Sequence, residues 1–436
     1  MKRILVDMSA TILHHGHIRL LRRAAAEGRV VVALTSDEEI ISQKGYLPEL
    51  RFEERQEILE SIKYVSEVIK SPWLIDKAFL EKHKIDVLVH GSDNVNPIEG
   101  SQLLVLPRTD GVSSTEIRQR ALRSITDINN KKLMLTPGPA AVLHEQLLEL
   151  RPVFGRADPD YERIVKDVEA WVKTLTGAEN LVYGQGSATL GLELAARTFV
   201  AGRVLIIQTG YYSERLKSFL GADVETKICT YDEFFTIKEK YDWVMCAYTE
   251  TSVAFKVDIL LVRQQTTNLG AQLYVDATAS IGLEDNHNVA DVMAFSSCKG
   301  LMGLTGGFFI SYKEYVMPMS TDLFYFNLLT HKNKMITGPY HAMLSLYGVI
   351  STHNVLKERV RRSKELIMSK FKKYISRKDN QPLLCTHLNG ALVKLDENIV
   401  AYHPRNNKPG TILCHLGEVH SDRLLIGDRI DIIENK

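Results

Sequence analysis

The sequence has no long apolar run, no paired cysteines and almost no net charge, and each absence removes a class of function. Across 436 residues, no stretch approaches the roughly 18 apolar residues that a membrane span requires. The opening Met1–Ala10 lacks a charged segment followed by an apolar core, so no secretory leader is expected and a cytoplasmic protein is predicted. The five cysteines, Cys229, Cys246, Cys298, Cys385 and Cys414, show no C-x-x-C spacing, which argues against a zinc site or a disulfide scaffold. A formal net charge of +1 gives no electrostatic reason to expect nucleic acid or a membrane surface. A phosphate-bearing partner is therefore expected to be a small molecule held locally. Gly184-Gln185-Gly186 is not followed by a lysine in Walker position, so a nucleotide P-loop is not expected there.

What is present is an ordinary globular composition, 45% hydrophobic and 25% charged, in a chain too long for one core. Residues 1–124 alternate β-rich runs (Arg3 to Val6, Val30 to Leu34, Ile85 to Val89, Leu103 to Leu106) with helical stretches. That alternation predicts a Rossmann-like parallel sheet with crossover helices. Residues 119–132 turn polar and lose periodicity, which places a linker at 125–132 and a second domain at 133–436, with a small α/β subdomain from about residue 340.

Chemistry first appears at His14-His15-Gly16-His17, which follows the first strand and opens a helix predicted over Ile18 to Glu27. Residues three apart at a helix start share a face, and a helix N-terminus attracts phosphate. Imidazoles there can donate to a nucleotide α-phosphate as charge builds. Pro107 to Arg118, P-R-T-D-G-V-S-S-T-E-I-R, sets hydroxyls and arginines at a second helix start, either as a phosphate cradle or as a plain cap completed by Glu116.

Together these residues resemble the glycerol-3-phosphate cytidylyltransferase family, with its H-x-G-H and R-T-x-G-[IV]-S-[ST]-T signatures. The resemblance implies that His14 and His17 stabilise the transferring phosphate. It also implies that Ser9, Lys44, Arg55, Arg108, Ser113 and Ser114 bind CTP, and that Mg²⁺ accompanies the nucleotide. The chain departs from the family pattern at Met8-Ser9-Ala10-Thr11, where G-T-F-D is usual, and at Lys63, where an arginine is usual. Lysine does not reproduce a bidentate arginine fork, so acceptor selectivity or rate is expected to differ.

In the second domain, strands ending at Asp276 and at Ser297-Cys298-Lys299 set a carboxylate and an amine at neighbouring strand ends, where ligands sit in open α/β sheets. Pyridoxal phosphate chemistry needs that pair, an amine to condense with the cofactor and a carboxylate to keep its ring nitrogen protonated. Thr136-Pro137-Gly138-Pro139, Gly184 to Thr189, Glu250-Thr251-Ser252, Val275 to Ser280 and Ser297 to Gly300 follow in the order of the class V, fold-type I aminotransferases. The chain resembles the 2-aminoethylphosphonate:pyruvate aminotransferase group in particular.

That resemblance implies a cofactor phosphate held by Ser187, Ala188 and Thr189, Tyr212 stacked on the ring, Thr251 near its phenolic oxygen, Asp276 on the pyridinium and Lys299 as Schiff-base amine and proton shuttle. It also implies a homodimer in which Thr337 reaches a neighbouring subunit's cofactor. The segment Leu413 to Glu418 carries His415 where the family has a substrate-anchoring arginine, and Arg377 to Asn389 looks abbreviated.

Joined, the two resemblances imply a bifunctional enzyme. It would aminate dihydroxyacetone phosphate to serinol phosphate, with glutamate or alanine as donor, and couple the product to CTP as CDP-serinol for surface polysaccharide synthesis. The same residues leave open phosphonoacetaldehyde converted to 2-aminoethylphosphonate and its CMP ester. They also leave open a pyridoxal phosphate lyase or decarboxylase fused to a nucleotide-binding sensor.

Overall fold

The computed structural model describes residues 1–129, 132–140, 142–150, 157–375, 379–394, 399–403, 410–417, 419 and 431–434. The chain divides into two compact units, Met1–Asp127 and Ile128–Lys436.

The first unit is a five-stranded parallel sheet in the order β3-β2-β1-β4-β5: β1 Arg3–Met8, β2 Arg29–Thr35, β3 Val65–Ser71, β4 Val87–Gly91 and β5 Leu103–Leu106. β1 and β2 are apolar because both faces are covered, with Ile4, Leu5, Val6 and Val30 to Leu34 all buried. The sequence did not reveal β3, Val-Ser-Glu-Val-Ile-Lys-Ser, a half-exposed edge strand whose polar positions disguise it. Helix α1, His15–Glu27, begins three residues before the sequence pattern predicted, and α2 spans Asp37–Lys44 and α3 Phe52–Glu60. After α4 (Lys77–Lys82), helix α5 runs Ser114–Asn129, so most of the polar stretch read as a linker is helical.

The second unit holds a seven-stranded sheet. In spatial order its strands are Asn180–Gln185, Gly307–Tyr312, Val292–Ser296, Gln272–Asp276, Trp243–Ala247, Arg203–Gln208 and Glu225–Thr230. All pairings are parallel except those of Gly307–Tyr312, which runs antiparallel to both neighbours. The central strands Trp243–Ala247 and Val292–Ser296 are buried at every position, as expected of a sheet covered on both faces. Apolar side chains of the helices Pro159–Thr176 and Ala188–Phe199 pack into the cores on which this sheet rests. Beyond the helix His353–Lys370, short strands pair Cys385–Leu388 with Thr411–Cys414, Ala391–Lys394 with Asp431–Glu434, and Ile399–Ala401 with Leu133–Leu135. Glu418 and residues 376–378 lie outside the described residues.

Candidate active sites

Each unit carries a cavity at the carboxyl ends of its parallel strands, where a helix N-terminus faces inward. The first, about 310 Å³, lies between the ends of β1 and β4 and the starts of α1 and α5. Ser9, His14, His17, Lys44, Arg108, Ser113 and Ser114 all line it.

His14 is the N-cap of α1, and its Nδ1 accepts from Gly16 N at 3.2 Å, while His17 Nδ1 accepts from His14 N at 3.3 Å. The rings stack with centroids 3.8 Å apart. Burial pushes the His17 pKa down to about 3, helped by His14 and Lys44. His14 is lowered too, by burial first and then by the charges of His15 and Arg108. Both rings are therefore neutral at pH 7. With each Nδ1 occupied as an acceptor, each proton must sit on Nε2. The helix start thus fixes two hydrogen-bond donors without adding charge, as an electrophilic site for a developing phosphate anion requires.

The other predicted contacts divide. Lys44 Nζ donates to Ser9 Oγ at 3.1 Å and lies 5.3 Å over the Trp73 ring, which holds both residues at the cavity. Arg108 Nη1 is 3.4 Å from Asp93 Oδ2. Ser113 Oγ accepts from Glu116 N at 3.1 Å, so it caps α5 while lining the cavity, and Ser114 Oγ donates to Ile12 O at 3.4 Å.

Arg55 does not reach the cavity. Its guanidinium is buried at 1% exposure and donates to Leu50 O, Ser9 O, Thr35 O and Asp37 Oδ1, so it braces the Ser9 loop from behind and has little left for a phosphate. Lys63 is exposed beyond the end of α3, 5.1 Å over the Tyr64 ring, and is not among the cavity residues. Thr11 is buried and accepts from Arg118 Nη2 at 3.1 Å.

Three lining residues were not foreseen: Asp7, His90 and Asp93, from the ends of β1 and β4. Asp7 Oδ2 accepts from Asn96 Nδ2 at 2.9 Å, but Oδ1 is buried without a hydrogen bond, with His90 Nε2 3.5 Å away. Burial raises the Asp7 pKa, partly offset by His90. The cavity therefore holds donors and cations together with two carboxylates, and Arg108 and Asp93 lie within 3.4 Å of each other.

The second cavity, about 400 Å³, brings together Ser187, Ala188, Thr189, Tyr212, Thr251, Asp276 and Lys299. Asp276 stands at the end of one parallel strand with Oδ1 accepting from Thr278 N at 2.9 Å, and Lys299 follows the adjacent strand. Lys299 Nζ lies 5.7 Å from the Tyr212 ring centroid. The Thr136 to Pro139 lead-in packs on this lysine: Gly138 has φ +124, and a Cβ there would stand 3.0 Å from Lys299 Cγ, while Ala140 N donates to Cys298 O.

Thr249, Thr251 and Thr278 all line this cavity, and the hydroxyls of Thr249 and Thr278 are buried without a hydrogen-bond partner. Ser187 caps the helix Ala188–Phe199 without a side-chain cap bond. Orphan hydroxyls of this kind call for a polar occupant. Those hydroxyls, an acid, an amine, an aromatic face and a helix N-terminus together fit pyridoxal phosphate.

Thr337 is the exception. It is exposed and lines a separate cavity with Tyr161, Tyr183 and His331, away from Lys299 in its own chain. His415 is buried with Nε2 2.9 Å from Thr386 Oγ1, and burial pushes its pKa down to about 3. The position thus carries no charge at neutral pH. Two further residues escaped the sequence reading. Glu250 accepts from Tyr212 N, Ser213 N and Ser252 N and so fixes the backbone that presents Tyr212, and Arg215 lines the cavity. Burial raises the Glu250 pKa against its many donors.

The profile of the cytidylyltransferase-like family matches residues 9–120. Glycerol-3-phosphate cytidylyltransferase of Bacillus subtilis is 36% identical over 124 residues, which span 27% of this chain and 96% of that protein. Through its N-terminal unit the chain belongs to the cytidylyltransferase-like family. The cytidylyltransferase unit is also 35% identical over 150 residues to ethanolamine-phosphate cytidylyltransferase of Arabidopsis thaliana, a match covering 30% of this chain and only 35% of that protein.

For the remainder, pyridoxamine-pyruvate aminotransferase from Mesorhizobium loti superposes with a TM-score of 0.56 at 17% identity, covering 67% of this chain and 88% of that one. At that identity the likeness establishes an aminotransferase fold. Among the described residues, no helix is long and apolar enough to cross a membrane, and no group of three His, Cys, Asp or Glu is arranged to hold a metal ion.

Proposed function

We propose that the chain is a bifunctional transferase in which the second unit makes a phosphorylated amine and the cytidylyltransferase unit couples it to CTP. The observation that carries this reading is the buried Asp7 carboxylate in a cavity that also holds His14, His17 and Lys44. A phosphate acceptor that also bears an ammonium group would place its phosphate near His14, His17 and Lys44 and its cation near Asp7, whose Oδ1 is buried without a hydrogen bond. Similarity to cytidylyltransferases named for both glycerol 3-phosphate and ethanolamine phosphate supports an acceptor that combines a three-carbon frame with an amine. Serinol phosphate meets both requirements, and its carbonyl precursor is dihydroxyacetone phosphate.

In the first cavity a phosphate oxygen of the acceptor attacks the α-phosphorus of CTP and pyrophosphate leaves; Mg²⁺ brought with the nucleotide would neutralise its charge. His14 and His17 donate from Nε2 to the α-phosphate, and Lys44 and Arg108 hold the triphosphate. In the second cavity bound pyridoxal phosphate supplies the electron sink for removal of the donor's α-proton. With that cofactor bound, Lys299 would hold the proton at Nζ and return it, Asp276 would keep the ring nitrogen protonated, Tyr212 would orient the ring and Thr251 would lie on the side of its phenolic oxygen. The amine forms first, because the small phosphate fits the second cavity better than a CDP ester.

A homodimer accompanies this reading. Thr337 is exposed near a run of exposed apolar side chains, Met317, Leu323, Phe324, Leu329 and Met335, which a second subunit would cover. The product, a CDP-activated amino alcohol, is a transfer donor suited to decorating a surface polysaccharide.

The test supplies the purified chain with CTP, Mg²⁺, glutamate or alanine, and either dihydroxyacetone phosphate or phosphonoacetaldehyde, and follows amine, pyrophosphate and the new ester by ³¹P NMR. CDP-serinol from dihydroxyacetone phosphate is expected, with serinol phosphate outcompeting glycerol 3-phosphate as acceptor. No amine from dihydroxyacetone phosphate, or a preference for glycerol 3-phosphate, would overturn the reading.

A further inference from the structure

The second cavity lacks the cation expected at position 415, because His415 is buried and hydrogen-bonded to Thr386. A different residue supplies positive charge there. Arg215 follows the short helix Tyr211–Glu214 and lines the same cavity as Lys299, Asp276 and Thr189. Its guanidinium carbon lies 5.3 Å from the Tyr212 ring centroid and 5.4 Å from that of Phe219, so two aromatic rings orient the planar group. Nη1 reaches Thr189 Oγ1 at 3.4 Å, beside the start of the helix Ala188–Phe199, and Nε is buried without a hydrogen-bond partner. Among the described residues no carboxylate pairs with it. A half-buried guanidinium held rigid, donating only to a hydroxyl, is an anion site awaiting its anion.

We propose that Arg215 holds a phosphate monoester dianion in the second cavity, together with Thr189 and the N-terminus of the helix Ala188–Phe199. The inference rests on the pyridoxal phosphate reading of that cavity and adds to it the residue that anchors the anion. Two sources share this chemistry, the phosphate of the cofactor and the phosphate of the carbonyl substrate. Either would receive a bidentate contact from the fork while the rest of the molecule lies toward Lys299.

The test uses the full chain and its Arg215→Gln and Arg215→Lys variants. After removal of cofactor, each protein is titrated with pyridoxal phosphate and with pyridoxal, which lacks the phosphate, and binding is read from the change in visible absorption. The amino form of each loaded protein is then mixed with dihydroxyacetone phosphate or with dihydroxyacetone in a single turnover. Loss of a charge-assisted bidentate contact is expected to weaken the phosphorylated partner about ten- to a hundredfold in Arg215→Gln while leaving its unphosphorylated analogue unchanged, with Arg215→Lys between.

A lost preference for pyridoxal phosphate over pyridoxal assigns the dianion to the cofactor. A lost preference for dihydroxyacetone phosphate over dihydroxyacetone assigns it to the substrate. Survival of both preferences in Arg215→Gln would overturn the proposal, and so would equal weakening of phosphorylated and unphosphorylated partners, because packing on Tyr212 alone would then explain the residue. Failure of the unsubstituted protein to bind pyridoxal phosphate would instead refute the cofactor reading on which the proposal stands.

Discussion

The two cavities use the same device, a helix N-terminus at the carboxyl end of a parallel sheet, but they differ in how far the chain itself completes them. In the cytidylyltransferase unit the working donors are locked by their own backbone, since His14 and His17 each accept an N–H at Nδ1 and present Nε2 outward. In the second unit the hydroxyls of Thr249 and Thr278 are buried and unpartnered, and Lys299 and Asp276 come from separate strands. The phosphate donors of the first cavity are thus set before a substrate arrives, although Asp7 Oδ1 beside them is left without a hydrogen bond, whereas the second cavity leaves its hydroxyls open. A passing triphosphate demands preorganised donors, while a resident cofactor can serve as part of the structure.

The comparison breaks most visibly if the two centres prove dependent on each other. His17→Ala removes one preorganised donor from the first cavity and nothing from the second. Cytidylyl transfer is expected to fall about 10²- to 10³-fold, measured as pyrophosphate release, with amine formation unchanged. A parallel loss of amine formation would show that the centres are not independent.

A smaller effect sharpens the comparison through pH. Burial depresses the pKa of His17 to about 3 in the first unit, and in the second those of His415 to about 3 and His287 to about 4. Each ring is neutral when folded and takes up a proton near pH 6.5 when unfolded, so the folded state binds fewer protons in between. Their contribution to stability is fully present above pH 6.5 and is lost as pH falls toward 3. Denaturant unfolding followed by circular dichroism should show both transitions weakening through that window, the second unit's more, because it holds two of the three rings. Unfolding midpoints that held constant between pH 7 and 4 would contradict this.

Much of this arrangement was legible in the sequence, and most of the exceptions share one cause. His14 and His17 could be read because their chemistry depends on local spacing at a helix start. Asp276 and Lys299 could be read because strand ends converge in a parallel sheet. Arg55 could not be read: its place in the run Arg51 to Arg55 gives no sign that α3 turns it inward onto the Ser9 carbonyl. Asp7 hides at the end of an apolar strand, and only the neighbouring β4 brings His90 and Asp93 beside it. Glu250 meets Tyr212 across 38 residues of chain, whereas Arg215 sits within one turn of Tyr212 and only its place in the cavity was hidden. Partners set by tertiary packing leave no periodic trace.

The central claim is that one chain carries two separate centres, the product of one being the substrate of the other. Lys299→Ala tests it most directly when amine formation from dihydroxyacetone phosphate and cytidylyl transfer to supplied serinol phosphate are both measured on the same preparation. The account predicts that the variant makes no amine yet converts supplied serinol phosphate to CDP-serinol at the rate of the unsubstituted protein. Amine formation that survives, or cytidylyl transfer that disappears with it, would contradict the account.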